Sequence, residues 1–528
     1  SIYLLVLVFD AAVHCAILLF YGLTFQNFFR GFLSFLFFIY PLHYVADALW
    51  SLRPSVRGIL SGEIPVNRKY YMNTVRKEVA REELLPVTVS MPVYLEANEV
   101  IFETMRSALA AAKSYREFSG EAANVVVSDD GIAPLLGGRC TREKAEAIIY
   151  ALKNNISGLA PSERKAAERI LFYRTNNIPF VVRPAEGRAG HFKKASNLNY
   201  TLKLGKAAAG VSGASGVSGV SNEGMTEEGG VFAGGYSEGD ITTHEIILLL
   251  DKDSGVKPGI IEAILPEFAA DEKLAYVQCA TNAGNPDENY YTNAAGRHAN
   301  GLFHNIWPCK ALQGFFVPLV GHNAFIRKSL LEKSGLWAEN RVSEDYDKAL
   351  CFYGMGYHGK YAQIRGLEFT ECVSRTFTEE TGRQRRYAFG LLELLFDGTV
   401  FPHRRNKNIR VRGCDVFYML FYLCSLVNQV MLIPTVLFES YFGNIHLLWA
   451  GFLFCTMCFI VFPMLRSLVM RRRQPKEHLA GLGDTLIIAI SFVGHSYSSL
   501  SGSCRYLVNK IKEIKTPFPS TNVDRLDY

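Results

Sequence analysis

Charge is scarce in this chain: Asp, Glu, Lys and Arg make up 20% of its 528 residues, against about 25% in ordinary globular proteins. Hydrophobic residues reach 49%, and the mean hydropathy is +0.09. Such a composition excludes an intrinsically disordered protein, which has too little apolar surface to offset its ordering entropy. A cysteine framework is lacking too. The 11 cysteines stand singly, and the one C-x-x-C pair, Cys455 and Cys458, lies inside an apolar run. Cys packs there as a small hydrophobe rather than serving zinc or redox chemistry, and a small disulfide-stapled scaffold is excluded. No G-x-x-x-x-G-K-[ST] arrangement occurs. The tract over residues 205–239, rich in Gly, Ser and Ala, therefore reads as a flexible surface insertion and not as a phosphate loop.

The apolar excess is clustered. Residues 2–23 and 28–50 near one end, and 416–438 and 447–470 near the other, form long apolar runs, with a weaker one over 482–493. About 20 apolar residues suffice to cross a hydrocarbon core of roughly 30 Å. The first run lacks the basic leading region and small-residue cleavage site of a signal peptide, so it reads as a span. The expected layout is two transmembrane helices in 1–52 and a hydrophilic domain over 53–382. An interfacial amphipathic helix with a basic linker follows over 383–413, and then a membrane region over 414–528. The connections at 22–26 and 439–446 carry no Lys or Arg. Arg404, Arg405, Lys407, Arg410 and Arg412 precede one span, and Arg471, Arg472, Arg473 and Lys476 follow another. The positive-inside rule then places the hydrophilic domain in the cytosol. The net charge of +6, from 56 basic and 50 acidic residues, belongs largely to these juxtamembrane clusters. They suit a lipid bilayer rather than nucleic acid. A fifth crossing would leave Lys510, Lys512 and Lys515 outside, and Gly494 and His495 interrupt the last run. A re-entrant or interfacial hairpin is the alternative there.

Within the hydrophilic domain, short apolar runs alternate with helical stretches. PVTVSMPVY is followed by a helical stretch over 99–115, NVVVSDDG by one over 143–154, and PFVVRP by one over 195–204, before EIILLLDKDSG. Continuous apolar strands alternating with helices predict an α/β fold with a doubly wound, parallel sheet. Ligands bind at the carboxyl ends of such strands. Asp129 and Asp130, and Asp251 and Asp253, would therefore share one crevice. Two carboxylates one residue apart at a strand end can hold a hard divalent cation and its diphosphate. A tight turn at Gly131 and a solvated loop are the plainer readings of the two pairs. Ser343 is expected to cap a helix whose first turn carries Glu344, Asp345 and Asp347. A carboxylate placed among other anions and near a metal is a candidate general base. Arg383, Gln384, Arg385, Arg386 and Tyr387 precede an amphipathic run. They suit phosphate oxygens and a sugar face, or equally lipid headgroups.

Taken in order, PVYLE, SDDG, FKKASNLN, DKD, GHNAFIR, SEDYDKAL and RQRRYAFG resemble the processive family 2 glycosyltransferases: cellulose, chitin and hyaluronan synthases. The closest likeness is to fungal membrane enzymes of that group. The resemblance implies a cytosolic GT-A domain with a mixed sheet, inserted between transmembrane helices. It implies a UDP-sugar donor, a growing polysaccharide acceptor and Mg2+ or Mn2+. By residue, it assigns Tyr94, Glu96, Asp129, Asp130, Lys194, Asp251 and Arg386 to the nucleotide sugar, and Asp251 and Asp253 to the metal. Asp345 becomes the general base, with Glu344 beside it. The acceptor falls to Arg383, Gln384, Tyr387, His322 and Asn323. The family's Q-x-x-R-W is altered here: Arg383 stands at the Gln position and Tyr387 at the Trp position. UDP-glucose giving a β-glucan, exported at the plasma membrane, is the first expectation. A UDP-N-acetylglucosamine polymer or a lipid-linked single sugar is the alternative.

Overall fold

A computed structural model describes residues 68–75, 80–186, 188, 193–211, 235–396 and 482–512, except for 157, 313 and 315. The spans expected in 1–52 and 416–470, and the linker over 397–413, lie outside the described residues. Among the described residues no helix is long and apolar enough to cross a membrane. The chain divides into two compact units: one takes 72–281 and 318–372, the other 282–317 and, among its described residues, 68–71, 373–396 and 482–512.

The first unit is built on one sheet, with strands β1 (Tyr71–Met72), β2 (Val87–Val93), β3 (Ala123–Asp129), β4 (Phe180–Val182), β5 (Tyr236–Glu238), β6 (Ile246–Leu249), β7 (Leu274–Cys279), β9 (Ala324–Arg327) and β10 (His358–Ala362). The strands β8 (Thr281–Ala283) and β11 (Phe369–Glu371) stand outside it. Its order is β1-β10-β7-β9-β6-β2-β3-β4-β5. The central strand β2 is sealed on both faces, with Val87, Val89 and Met91 fully buried on one and Thr88 and Ser90 buried on the other, as parallel strands covered by helices are. Parallel pairing joins β2 to β3 and β6, β3 to β4, and β7 to β10.

Antiparallel pairing occurs at two places: β5 pairs antiparallel with β4, and β9 wedges antiparallel between β6 and β7. The sheet is therefore mixed rather than parallel throughout. Helix α1 (Asn98–Ser119) covers it through Ile101, Met105, Ala108, Ala112 and Tyr115, at the three- and four-residue spacing of a helix face. It stops at Gly120, whose φ of 78° admits the left-handed turn and whose amide bonds the Arg116 carbonyl. Helix α2 (Arg142–Lys153) and helix α3 (Pro161–Thr175) follow, the latter opened by a proline at its first position. Helix α4 (Lys193–Val211) and strand β5 extend into both ends of the tract at 205–239. The insertion is narrower than expected, because GKAAAG is helix-forming and Tyr236–Glu238 pairs with β4. Residues 212–234 lie outside the described residues.

In the first unit, helix α5 (Ile260–Ala270), helix α6 (Lys328–Lys333) and helix α7 (Glu344–Gly354) complete the helical layers. In the second unit, helix α8 (Phe377–Phe396) takes up the RQRRYAFG block, and helix α9 (Leu482–Ile511) runs unbroken through Gly494 and His495. A single glycine costs a helix only about 1 kcal/mol, so the helix continues through that position.

Candidate active site

Because β2, β3 and β6 are parallel and adjacent, Tyr94, Asp129 and Asp251 emerge at the same edge of the sheet. Strand β9 runs the other way, with Ala324 opposite Leu249. Its entrance, Gly321-His322-Asn323, therefore meets the exit of β6. One edge thus gathers four sequence blocks that hydropathy alone places far apart.

Lys194, in the first turn of α4, joins them. Its Nζ pairs with Asp251 Oδ1 and donates to the Gly321 carbonyl at 2.9 Å. Gly321 has a φ of 76°, and a Cβ there would stand 2.9 Å from Asp345 Oδ2. The glycine therefore admits Asp345, in the first turn of α7, against the turn that Lys194 holds. Asp345 Oδ1 accepts from the Tyr346 amide at 2.8 Å. Ser343 sits at the N-cap position, but its side chain makes no capping bond. Its carbonyl accepts from the Asp347 amide at 3.0 Å instead.

The electrostatics follow from burial and from the density of like charge. Burial alone would raise Asp251, but the Lys194 charge, with His322, outweighs it and holds the carboxyl low. Burial, then Glu371 and Asp251, push Asp253 up to about 7. Burial, then the neighbouring Asp345, bring Glu344 to about 7, and burial raises Asp345 as well. Burial would lower the His322 imidazole, but the Glu371 carboxylate more than compensates and raises it. His322 Nδ1 lies 2.9 Å from Glu371 Oε2, close but out of line for a hydrogen bond. One ligand atom each from Asp251, His322 and Glu371 lies within 4.8 Å of the other two. Two carboxylates and an imidazole are donors that a divalent cation accepts, so the residues fit the expected metal.

The other residues assigned to the nucleotide are engaged within the protein. Asp129 is fully buried; its Oδ1 accepts from the Gly131 and Ile132 amides at 2.8 and 3.1 Å and from Arg169 at 3.2 Å. Its Oδ2 accepts from the Tyr173 hydroxyl at 2.7 Å. Arg169 also donates to the Tyr94 and Glu96 carbonyls and, at 2.8 Å, to Asn98 Oδ1. Asp130 is clamped by Arg183 at 2.8 Å, with Arg188 at 3.7 Å. Glu96 accepts from the Tyr94 amide at 2.6 Å and faces Lys252 Nζ at 3.6 Å. Asn323 takes a φ of 51°, which Asn tolerates better than most residues, and donates to Thr281 Oγ1 at 3.1 Å.

Arg383, Gln384, Arg386 and Tyr387 lie on α8, in the other unit. Arg383 donates to the Tyr387 hydroxyl at 3.1 Å, one turn along, with its guanidinium 5.9 Å from that ring. Gln384 donates to Glu380 at 2.7 Å, and Arg386 is half-buried. Two residues escaped the sequence reading. Arg169 belongs to a helix with little amphipathic signal, and Glu371 is a single acid on a three-residue strand.

With that geometry in place, a family model described as Glycosyl transferase family group 2 matches residues 246–493, from β6 onward. The match supports a family 2 glycosyltransferase. A curated relative, the cellulose synthase catalytic subunit [UDP-forming] of Komagataeibacter sucrofermentans, is 24% identical over 220 residues, 40% of this chain. The chain spans only 27% of that relative's length. Among solved structures, the mannosyltransferase PcManGT from Pyrobaculum calidifontis, in complex with GDP-Man and Mn2+, is 14% identical with a TM-score of 0.44. That likeness covers 90% of this chain and 99% of the other. TarS 1-349 of S. aureus, in complex with UDP-GlcNAc, is 10% identical with a TM-score of 0.30, covering 80% and 91%. Mannosyl-3-phosphoglycerate synthase from Rubrobacter xylanophilus is 12% identical with a TM-score of 0.31, covering 60% and 76%. Likenesses this distant say nothing of substrate.

Proposed function

We infer that this chain is a family 2 glycosyltransferase that is inverting and metal-dependent, takes its sugar from UDP-sugar, and builds a β-linked polysaccharide. The observation that supports it is the Lys194 bridge. It ties Asp251 to the Gly321 turn, against which the Asp345 carboxylate lies. A phosphate-seeking ammonium, a metal-ligating carboxylate and a candidate base thus share one strand-end edge.

A sugar diphosphate is a poor electrophile until its leaving group is neutralised. A divalent cation at Asp251 and Asp253 would supply Lewis-acid stabilisation of the departing diphosphate, and Lys194 would add a second positive charge. Asp345 would accept the acceptor hydroxyl's proton as that oxygen bonds to C1 and the bond from C1 to the diphosphate oxygen breaks. Attack from the opposite face turns an α-linked donor into a β-linkage, with UDP released. No covalent enzyme intermediate is required. Arg386 and Tyr387 are given to the leaving group and acceptor by the family resemblance alone.

UDP-glucose giving a β-glucan is the first choice of donor and product. The apolar runs outside the described residues support an integral plasma-membrane enzyme that exports its polymer between its own spans. Purified protein incubated with Mn2+ and radiolabelled UDP-glucose or UDP-N-acetylglucosamine tests this reading. It expects a high-molecular-weight, glycosidase-digestible product from UDP-glucose. A single-sugar lipid would replace the polymerase by a lipid glycosyltransferase, and no transfer from any nucleotide sugar would overturn the reading altogether.

A further inference from the structure

We propose that His322 and Glu371 complete the coordination of the divalent cation with Asp251, making the site a mixed nitrogen and oxygen site that selects Mn2+ over Mg2+. The proposal rests on the glycosyltransferase reading for the cation's purpose, but its geometry stands by itself.

Each of the three side chains comes from a different strand end, and each backbone is fixed by its own device. Asp251 is held through Lys194. The loop carrying His322 is gripped at two points by the fully buried Gln278: its side chain accepts from the Val320 amide at 3.0 Å and donates to the His322 carbonyl at 3.0 Å. Glu371 is brought beside the Asp251–Asp253 loop by a reciprocal backbone pair. The Gly255 amide donates to the Thr370 carbonyl at 2.8 Å, and the Thr370 amide donates back at 3.0 Å. A Cβ at Gly255 would stand 2.1 Å from Thr370 Oγ1, so a larger residue there would have to turn the threonine side chain aside.

Asp251 is paired with Lys194, whereas His322 and Glu371 face each other. The one ion pair of the Glu371 carboxylate among the described residues is with His322 Nδ1, at 2.9 Å. Carboxylates and an imbalanced imidazole converging within 4.8 Å are what a cation would draw into register. The imidazole decides which cation. Mg2+ keeps oxygen ligands and water and dehydrates reluctantly, whereas first-row transition ions accept imidazole nitrogen.

Calorimetric titration of the full-length protein with MnCl2 and MgCl2, with and without UDP, together with pulsed EPR of the Mn2+-loaded protein, tests the ligand set. Nitrogen-14 coupling to Mn2+ is expected in the parent and lost in His322→Gln, with Mn2+ affinity lowered about tenfold or more in His322→Gln and in the isosteric Glu371→Gln. The preference for Mn2+ over Mg2+ should shrink in His322→Gln. Thermal melting of both variants confirms that they fold. Mn2+ bound without nitrogen coupling, or bound equally well by both variants, overturns the ligand set. If sugar transfer persists in that case, the glycosyltransferase reading survives. If neither metal supports turnover of any nucleotide sugar, that reading fails independently of the coordination.

Discussion

Lys194 and Asp251 stand 57 positions apart and form one ion pair, while the same ammonium donates to the Gly321 carbonyl at 2.9 Å. One side chain thus sets the relative positions of the α4 start, the β6 exit and the turn into β9. Hydrogen bonds to charged groups are worth about 1.5–3 kcal/mol. Lys194→Met keeps the length and loses the charge, and should lower kcat/KM for the nucleotide sugar by about tenfold or more. Lys194→Arg should recover little of it, because a planar guanidinium cannot replace a compact ammonium between these two acceptors. Steady-state kinetics decide this; equal kcat/KM for Lys194→Met and the parent would remove Lys194 from the site.

Gly321 and Gly120 make a matched comparison. Both have strongly positive φ, 76° and 78°, but a Cβ at Gly120 meets nothing within 4 Å, whereas one at Gly321 meets Asp345 at 2.9 Å. Alanine at either position should cost about 1–2 kcal/mol through backbone strain, read as similar drops in melting temperature. Only Gly321→Ala should also cut sugar transfer, by displacing Asp345. Equal transfer by the two variants would show that the Gly321 contact with Asp345 has no functional weight.

The strands β2, β3 and β6 were legible in the sequence because continuous apolar runs ending in acids mark buried parallel strands. The reversed direction of β9 was not, since AFIR between two polar stretches reads the same either way. Asp129 was legible only in part. As the last residue of an apolar strand it looks like a ligand, and only the fold brings Arg169 and Tyr173 around to enclose it. Those partners lie 40 and 44 residues on, in a helix whose apolar positions form no clean stripe. Glu371 is recruited by the close backbone approach of Gly255 to Thr370, which no local pattern announces.

Asp129 supplies a stability prediction. Removing one partner from a buried pair leaves an uncompensated charge and costs about 3–5 kcal/mol. Asp129→Asn should therefore lower stability by that order in chemical denaturation. Asp253→Asn, which removes a carboxyl without a hydrogen bond or ion pair among the described residues, should not lower it and should raise it at neutral pH. A stable Asp129→Asn protein that has lost nucleotide binding would instead make Asp129 a ligand.

The acid pair at the start of α7 sets a pH dependence. Burial, then Asp345, hold Glu344 up at about 7, and burial raises Asp345. A base must be ionised to take a proton, so kcat should fall as pH drops, with its acid limb above the usual carboxylate range. An acid limb at or below the ordinary aspartate value would contradict the assignment.

The most direct test compares sugar transfer and UDP binding in the parent protein and in Asp345→Asn. The substitution keeps the size of the side chain and removes its basicity. Loss of general-base catalysis should slow transfer by about 10²–10⁴-fold, with UDP affinity unchanged. Transfer by Asp345→Asn at the parent rate would contradict the account at its centre.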